Sequence, residues 1–191
     1  MRKLRTIEMN RLTVDEFKQA PKLPLVVVLD DVRSLHNVGS VFRSSDAFRV
    51  EAVYLCGITA TPPQPEIHKT ALGAEDSVTW RYFKTAVEAV DELHRQGYRV
   101  YAVEQAEGST MLQELKTLSP TLPDMEGSGD REEGFLPCAV ILGNEVKGVR
   151  QEVIDLCDGC IEIPQFGTKH SLNVSVTAGI VLWEFISQRW R

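Results

Sequence analysis

Leu142-Gly143-Asn144-Glu145-Val146-Lys147-Gly148-Val149 and, shortly after it, Ile163-Pro164-Gln165-Phe166-Gly167-Thr168-Lys169-His170-Ser171-Leu172-Asn173 are the stretches that decide the fold. Each is a glycine-bearing polar loop entered from a short apolar run, Cys138–Leu142 and Cys160–Ile163. Runs of this length read as strands buried on both faces of a sheet. The segments that follow, Arg150–Cys157 and Leu172–Arg189, have helical periodicity. Working outward, the alternation repeats. Leu25–Asp30, Ala52–Cys56, Val78–Phe83 and Arg99–Glu104 read as strands, and Asn37–Phe48, Glu66–Leu72, Thr85–Gln96 and a segment opening at Met111 as helices. Val38, Val41, Phe42 and Ser45 fall on one side of the helix at Asn37. The expected architecture is α/β, a parallel-sheet Rossmann-like core with helices on both faces.

The 191 residues, 43% hydrophobic and 25% charged, fit one compact domain. A short basic extension, 1–23, precedes a single domain spanning 24–191. The Pro-, Gly- and acid-rich stretch 119–137 reads as a flexible surface insertion. No apolar run approaches the roughly 20 residues of a bilayer span, and no signal sequence follows the basic start, so a cytoplasmic protein is expected. Of Cys56, Cys138, Cys157 and Cys160, only the last two have a suggestive spacing. No second CxxC or HxxxH completes a tetrahedral site, which leaves a structural reading and no metal. The formal net charge of −6 argues against indiscriminate polyanion binding, since sequence-independent affinity for nucleic acid comes from Lys and Arg neutralising phosphates. Charge is nevertheless segregated, with Arg2, Lys3, Arg5 and Arg11 gathered at the start.

In open α/β sheets, ligands gather outside the carboxyl ends of the strands, which makes the polar loops the default site. A dinucleotide fingerprint is absent. A Walker A loop is also absent, because Val149-Arg150 stands where Lys-Ser would be needed.

Three segments taken together are more specific. Asn37-Val38-Gly39-Ser40-Val41-Phe42-Arg43, then the loop at Gly143, then Ile163–Gly167 with Ser171-Leu172-Asn173-Val174-Ser175-Val176 resemble, in order, motifs 1, 2 and 3 of the SpoU/TrmH family within the SPOUT class. The resemblance implies a C-terminal trefoil knot, a homodimer, and S-adenosyl-L-methionine (SAM) as cofactor. It implies methyl transfer to a ribose 2'-OH of structured RNA, tRNA favoured over rRNA. The alternative is a non-catalytic RNA-binding or assembly protein of the same shape. Carried over, the cofactor pocket comprises Ala102, Val103, Glu104, Leu142, Gly143, Asn144, Gly148, Ile163, Pro164, Ser171 and Leu172. The catalytic set is Arg43, Asn37, Glu145, Ser171 and Asn173.

Arg43 is expected beside the ribose. A guanidinium is protonated at neutral pH and cannot act as a base without a perturbing partner, so positioning a phosphate is the favoured role. Asn37 could cap its helix or touch substrate, and Glu145 could orient Arg43 or Asn37. Ser171 and Asn173 could meet a ligand or cap the last helix. RNA contacts are expected from Arg2, Lys3, Arg5, Arg11, Arg33, Arg43, Lys147, Arg150 and Lys169. Exposed apolar residues of the closing helix are the expected dimer surface.

Overall fold

The computed structural model describes residues 1–115 and 136–188. The insertion read at 119–137 lies, as far as residue 135, outside the described residues. Among the described residues seven strands form one parallel sheet: β1 (Leu23–Asp30), β2 (Val50–Cys56), β3 (Thr79–Phe83), β4 (Arg99–Val103), β5 (Thr110–Met111), β6 (Cys138–Leu142) and β7 (Gly159–Glu162), in the order β3-β2-β1-β6-β4-β7-β5. The helices are α1 (Val14–Gln19), α2 (Leu35–Ala47), α3 (Pro65–Ala71), α4 (Ala74–Ser77), α5 (Ala86–Arg95), α6 (Gln151–Ile154) and α7 (Val174–Gln188).

Side chains on a strand alternate between faces, and the two cores follow that period. Leu25, Val27 and Leu29 of β1, with Val140 and Leu142 of β6, pack under α2, α3 and α7 against Phe42, Ile67, Leu182 and Phe185. Val26, Val28, Ala139 and Ile141 face the other way, onto Ala89, Val90 and Leu93 of α5 and Val153 of α6. Each fully buried Val, Leu or Ile contributes roughly 1.5–3 kcal/mol of transfer free energy. That burial on both sides is why these strands read as unbroken apolar runs.

Local signals place the helix ends. Ser34 caps α2, its side chain accepting from the Asn37 amide at 3.3 Å. Thr85 caps α5 through the Glu88 amide, and Gly97 follows its C-cap at φ +81°, a left-handed turn that glycine adopts without a Cβ penalty.

Two expected elements differ. In place of the helix opening at Met111, Thr110 and Met111 pair with Ile161 and Glu162 as the edge strand β5, and Leu112–Glu114 is a 3-10 turn. Backbone pairing at the sheet edge overrides the local tendency. The helix expected over Arg150–Cys157 is the single turn of α6, because the chain must turn at Asp158, whose amide donates to the Val100 carbonyl, before entering β7. The N-terminal segment also contains structure that periodicity did not reveal. Thr13 caps α1 with Glu16 as reciprocal partner, a capping box, and Phe17 is buried.

Candidate functional site

β6 lies between β1 and β4 although it follows both in sequence, so the loops after β4, β6 and β7 come together at one edge. There they enclose a cleft of about 580 Å³. Of the expected cofactor residues, Val103, Glu104, Leu142, Gly143, Asn144, Gly148, Ile163, Ser171 and Leu172 line it. Ala102 is fully buried one residue deeper on β4, in the core under α5. Pro164 flanks the cleft between two lining residues, Ile163 and Gln165. Gln105, Ala106, Gln165 and Thr177 line it as well; Gln165 lies within the third motif segment and the other three stand beside the motifs, where only the folding of the three loops into one wall brings them to the cleft.

Gly143 and Gly148 are required by close approach rather than by turn formation alone. A Cβ on Gly143 would overlap the Gly148 carbonyl and the Val149 amide nitrogen, and one on Gly148, where φ is +66°, would overlap the Glu104 carboxylate. The loop is therefore folded back upon itself, with Asn144 and Gly148 exchanging backbone hydrogen bonds at 2.8 and 3.1 Å. Glu104 clamps it to β4: Oε2 accepts from the Val149 amide at 3.0 Å and Oε1 from its neighbour Gln105 at 2.9 Å. Gln105 in turn donates to the His170 carbonyl at 2.9 Å, tying in the third loop.

A second set of bonds joins the three sequence segments directly. Glu145 accepts from the Arg33 and Ser34 amides at 2.9 and 3.0 Å and from Asn37 Nδ2 at 3.1 Å. Asn173 Nδ2 donates to Asn37 Oδ1 at 3.1 Å. Asn144 Nδ2 reaches the Asp31 carbonyl at 2.8 Å. Burial opposes ionisation of Glu145, yet the amides of Arg33, Ser34 and Glu145 itself, with Asn37, outweigh it and hold the carboxyl below the ordinary glutamate value.

These side chains have the following partners within the protein. Ser34, not Asn37, caps α2, and Asn37 bridges Glu145 and Asn173. Glu145 orients Asn37 and makes no bond to Arg43. Asn173 serves twice, capping α7 by accepting from the Ser175 amide at 2.9 Å while its amide nitrogen binds Asn37. Ser171 is exposed on the cleft wall.

Arg43 is elsewhere. It lies on the exposed side of α2 and lines a second cleft of about 360 Å³, bounded by the N-terminal segment and α4. Arg33, Lys147 and Lys169 are exposed near the cofactor loops. Arg150 instead turns inward, with Nη2 3.7 Å from Asp30 Oδ1 and Nη1 2.8 Å from Glu152. At the N-terminus Lys3, Arg5 and Arg11 are exposed, while Arg2 grips Glu8 with both terminal nitrogens at 2.9 and 3.0 Å. The Cys157 thiol is pushed up to about 12 by burial, with neighbouring Cys160 and Asp158 adding to it. It carries no thiolate at neutral pH. Among the described residues no three His, Cys, Asp or Glu side chains gather as a metal site.

Comparison with known proteins bears on this geometry. The family model described as the SpoU rRNA methylase family matches residues 24–183. The chain belongs to that family. A 23S rRNA (guanosine-2'-O-)-methyltransferase, RlmB, of Coxiella burnetii is 33% identical over 86% of this chain and 59% of its own length. A tRNA (guanosine(18)-2'-O)-methyltransferase of Thermus thermophilus is 30% identical over 95% of this chain and 84% of its own. The chain thus spans under two thirds of the first relative and most of the second. Among solved structures, the A. aeolicus TrmH/SpoU tRNA modifying enzyme superposes with a TM-score of 0.73 at 25% identity, covering 91% of this chain and 79% of that one. An AdoMet-bound rRNA methyltransferase from Sinorhizobium meliloti gives 0.72 at 25% identity, covering 88% and 59%. The expected parallel α/β architecture and the family resemblance are both borne out.

Proposed function

We propose that this protein transfers a methyl group from SAM to the 2'-hydroxyl of a ribose in structured RNA. The observation that carries the reading is the Asn37–Glu145–Asn173 bridge, which locks the three motif segments around the first cleft. The cleft suits the cofactor: its volume lies within the roughly 300–1,000 Å³ of small-ligand sites. Apolar Leu142, Ile161, Ile163 and Leu172 offer surface for an adenine ring, and Asn144, Gln165, Ser171 and Thr177 offer polar atoms for ribose and amino acid groups. When bound, SAM supplies a methyl group carried on a sulfonium.

The chain's own residues do the rest. Gly143 and Gly148 admit the ligand close to backbone, and Glu104 and Glu145 keep the loops from relaxing. Arg43 holds an RNA phosphate with its planar fork of donors, which needs no change of protonation. Lys147, Lys169 and Arg33 extend the positive surface, and the exposed N-terminal cations Lys3, Arg5 and Arg11 add to it. Positioning of the hydroxyl accounts for most of the rate on this reading.

The family's trefoil threading of the C-terminal segment and its cytoplasmic setting belong to the same proposal. So does a homodimer: Val176, Ile180 and Trp183, spaced to share one face of α7, are exposed, and a second copy covers that stripe. Transfer RNA is favoured over ribosomal RNA within the same proposal, although relatives acting on either RNA match up to 95% of this chain. The test is incubation with labelled SAM and bulk tRNA or rRNA, followed by nuclease digestion and nucleoside analysis. Label in 2'-O-methylated nucleosides is expected. SAM binding without transfer to any RNA would instead indicate an assembly protein.

A further inference from the structure

The cleft at Arg43 offers more than one cation. Leu12, Val14 and Phe17 give it an apolar wall, and two carboxylates, Asp46 and Asp76, stand on it with the guanidinium. Asp46 Oδ1 accepts the Ser77 hydroxyl at 2.5 Å. Among the described residues neither carboxylate pairs with a Lys or Arg, and Arg43 pairs with no carboxylate. Arg43 and Asp46, one helical turn apart on α2, are thus both available to a ligand.

Arg43 can take a phosphate, but the carboxylates beside it repel one and so must be met by other groups of the same ligand. Ionised carboxylates only accept hydrogen bonds, so this wall must be met by donors. RNA offers such donors at the ribose 2'-hydroxyl and on base edges, and only a base edge sets two of them side by side on a planar ring. Guanine presents N1–H and the N2 amino group side by side, a fit for the two oxygens of one carboxylate. Adenine places an acceptor at N1, which a carboxylate repels, and the mismatch supplies discrimination as well as affinity.

We propose that this cleft receives the guanine base of the nucleotide whose phosphate Arg43 holds, with the base resting on the Leu12–Val14 wall and its Watson–Crick edge on Asp46 or Asp76. The proposal rests on the reading of RNA as substrate and adds base recognition to it, on a surface that the N-terminal helix completes.

The test uses the full chain and fluorescein-labelled five-nucleotide RNAs, UUGUU, UUIUU and UUAUU, where I is inosine, which keeps N1–H and lacks the amino group. Anisotropy should rank guanine over inosine over adenine, with guanine about tenfold tighter than adenine. Asp76→Asn, at an exposed side chain, should lower that ratio, and Asp46→Asn with Asp76→Asn should bring it close to one. SAM affinity should not change, because the two clefts share no lining residue. Equal binding of the three RNAs by the unmodified chain overturns the proposal. So does a guanine preference that survives both substitutions, or a change in mass by light scattering with the preference intact, which would make the cleft a protein contact. Guanine preference without methylation of any RNA leaves base recognition standing and removes the enzymatic reading; methylation without the preference does the reverse.

Discussion

The two clefts use the same kinds of side chain in opposite ways. In the cofactor cleft two carboxylates are occupied: Glu104 and Glu145 accept backbone amides, and the wall exists because they do. In the Arg43 cleft the guanidinium and the carboxylates face outward with bonding capacity to spare. The first is held in shape before any ligand arrives; the second keeps its polar groups for the ligand. Cofactor binding and substrate handling should therefore fail separately.

Arg43→Ala should break the pairing of the two functions most sharply. Loss of one aligned charge-stabilising group typically costs about 10²–10³ in rate, and we expect that fall in single-turnover methylation of bulk RNA with SAM affinity by calorimetry unchanged. Equal losses in both would mean that Arg43 also shapes the cofactor cleft. Gly143→Ala should do the converse. The added methyl meets backbone rather than a yielding side chain, an overpacking cost to the fold of about 1–3 kcal/mol, so a lower Tm and a weaker SAM affinity by calorimetry are expected while binding of short RNA holds.

Glu145→Gln tests the amide cage with a smaller effect. Hydrogen bonds to a charged group are worth about 1.5–3 kcal/mol before the replacement's own bonds are counted, so a fall in Tm of a few degrees is expected. Its pH dependence has a definite sign. The folded-state value of Glu145 is lowered, so its contribution is fully present above the ordinary glutamate value of about 4.3 and is lost as pH falls through the lowered one. Urea unfolding should show a constant difference between the two proteins from pH 6 to 8 that closes in acid. The smallest effect belongs to Cys157→Ala, just after α6, where the thiol donates to the Val153 carbonyl. With the thiol pushed up to about 12, native protein at pH 8 should resist alkylation at this position, and the substitution should leave SAM affinity within twofold.

Much of the scaffold was legible residue by residue. The runs at Val26, Val53 and Ile141 announce strands buried on both faces, Ser34 and Thr85 announce helix starts, and the glycines at 143 and 148 mark a loop that must fold tightly. What local pattern reported poorly was anything settled by a distant partner. Thr110 and Met111 read as a helix start and became strand because Ile161 and Glu162 present an open edge. Asn37 read equally as a cap or a ligand, and the partners that decide it lie 108 and 136 residues away. Asp46 and Asp76 carried no motif at all; α2 and α4 had to pack before they shared a wall with Arg43.

The sequence by itself determined a parallel α/β chain with polar, glycine-bearing loops at its strand ends, because alternation, run length and capping chemistry act over neighbouring residues. Only the tertiary structure decided which loops meet and which charges are left free. The placement of β6 between β1 and β4 brings Glu145 to Asn37, and the docking of α1 beside α4 forms the cleft that Arg43 lines. Both depend on burying apolar faces far apart along the chain, which no local spacing encodes.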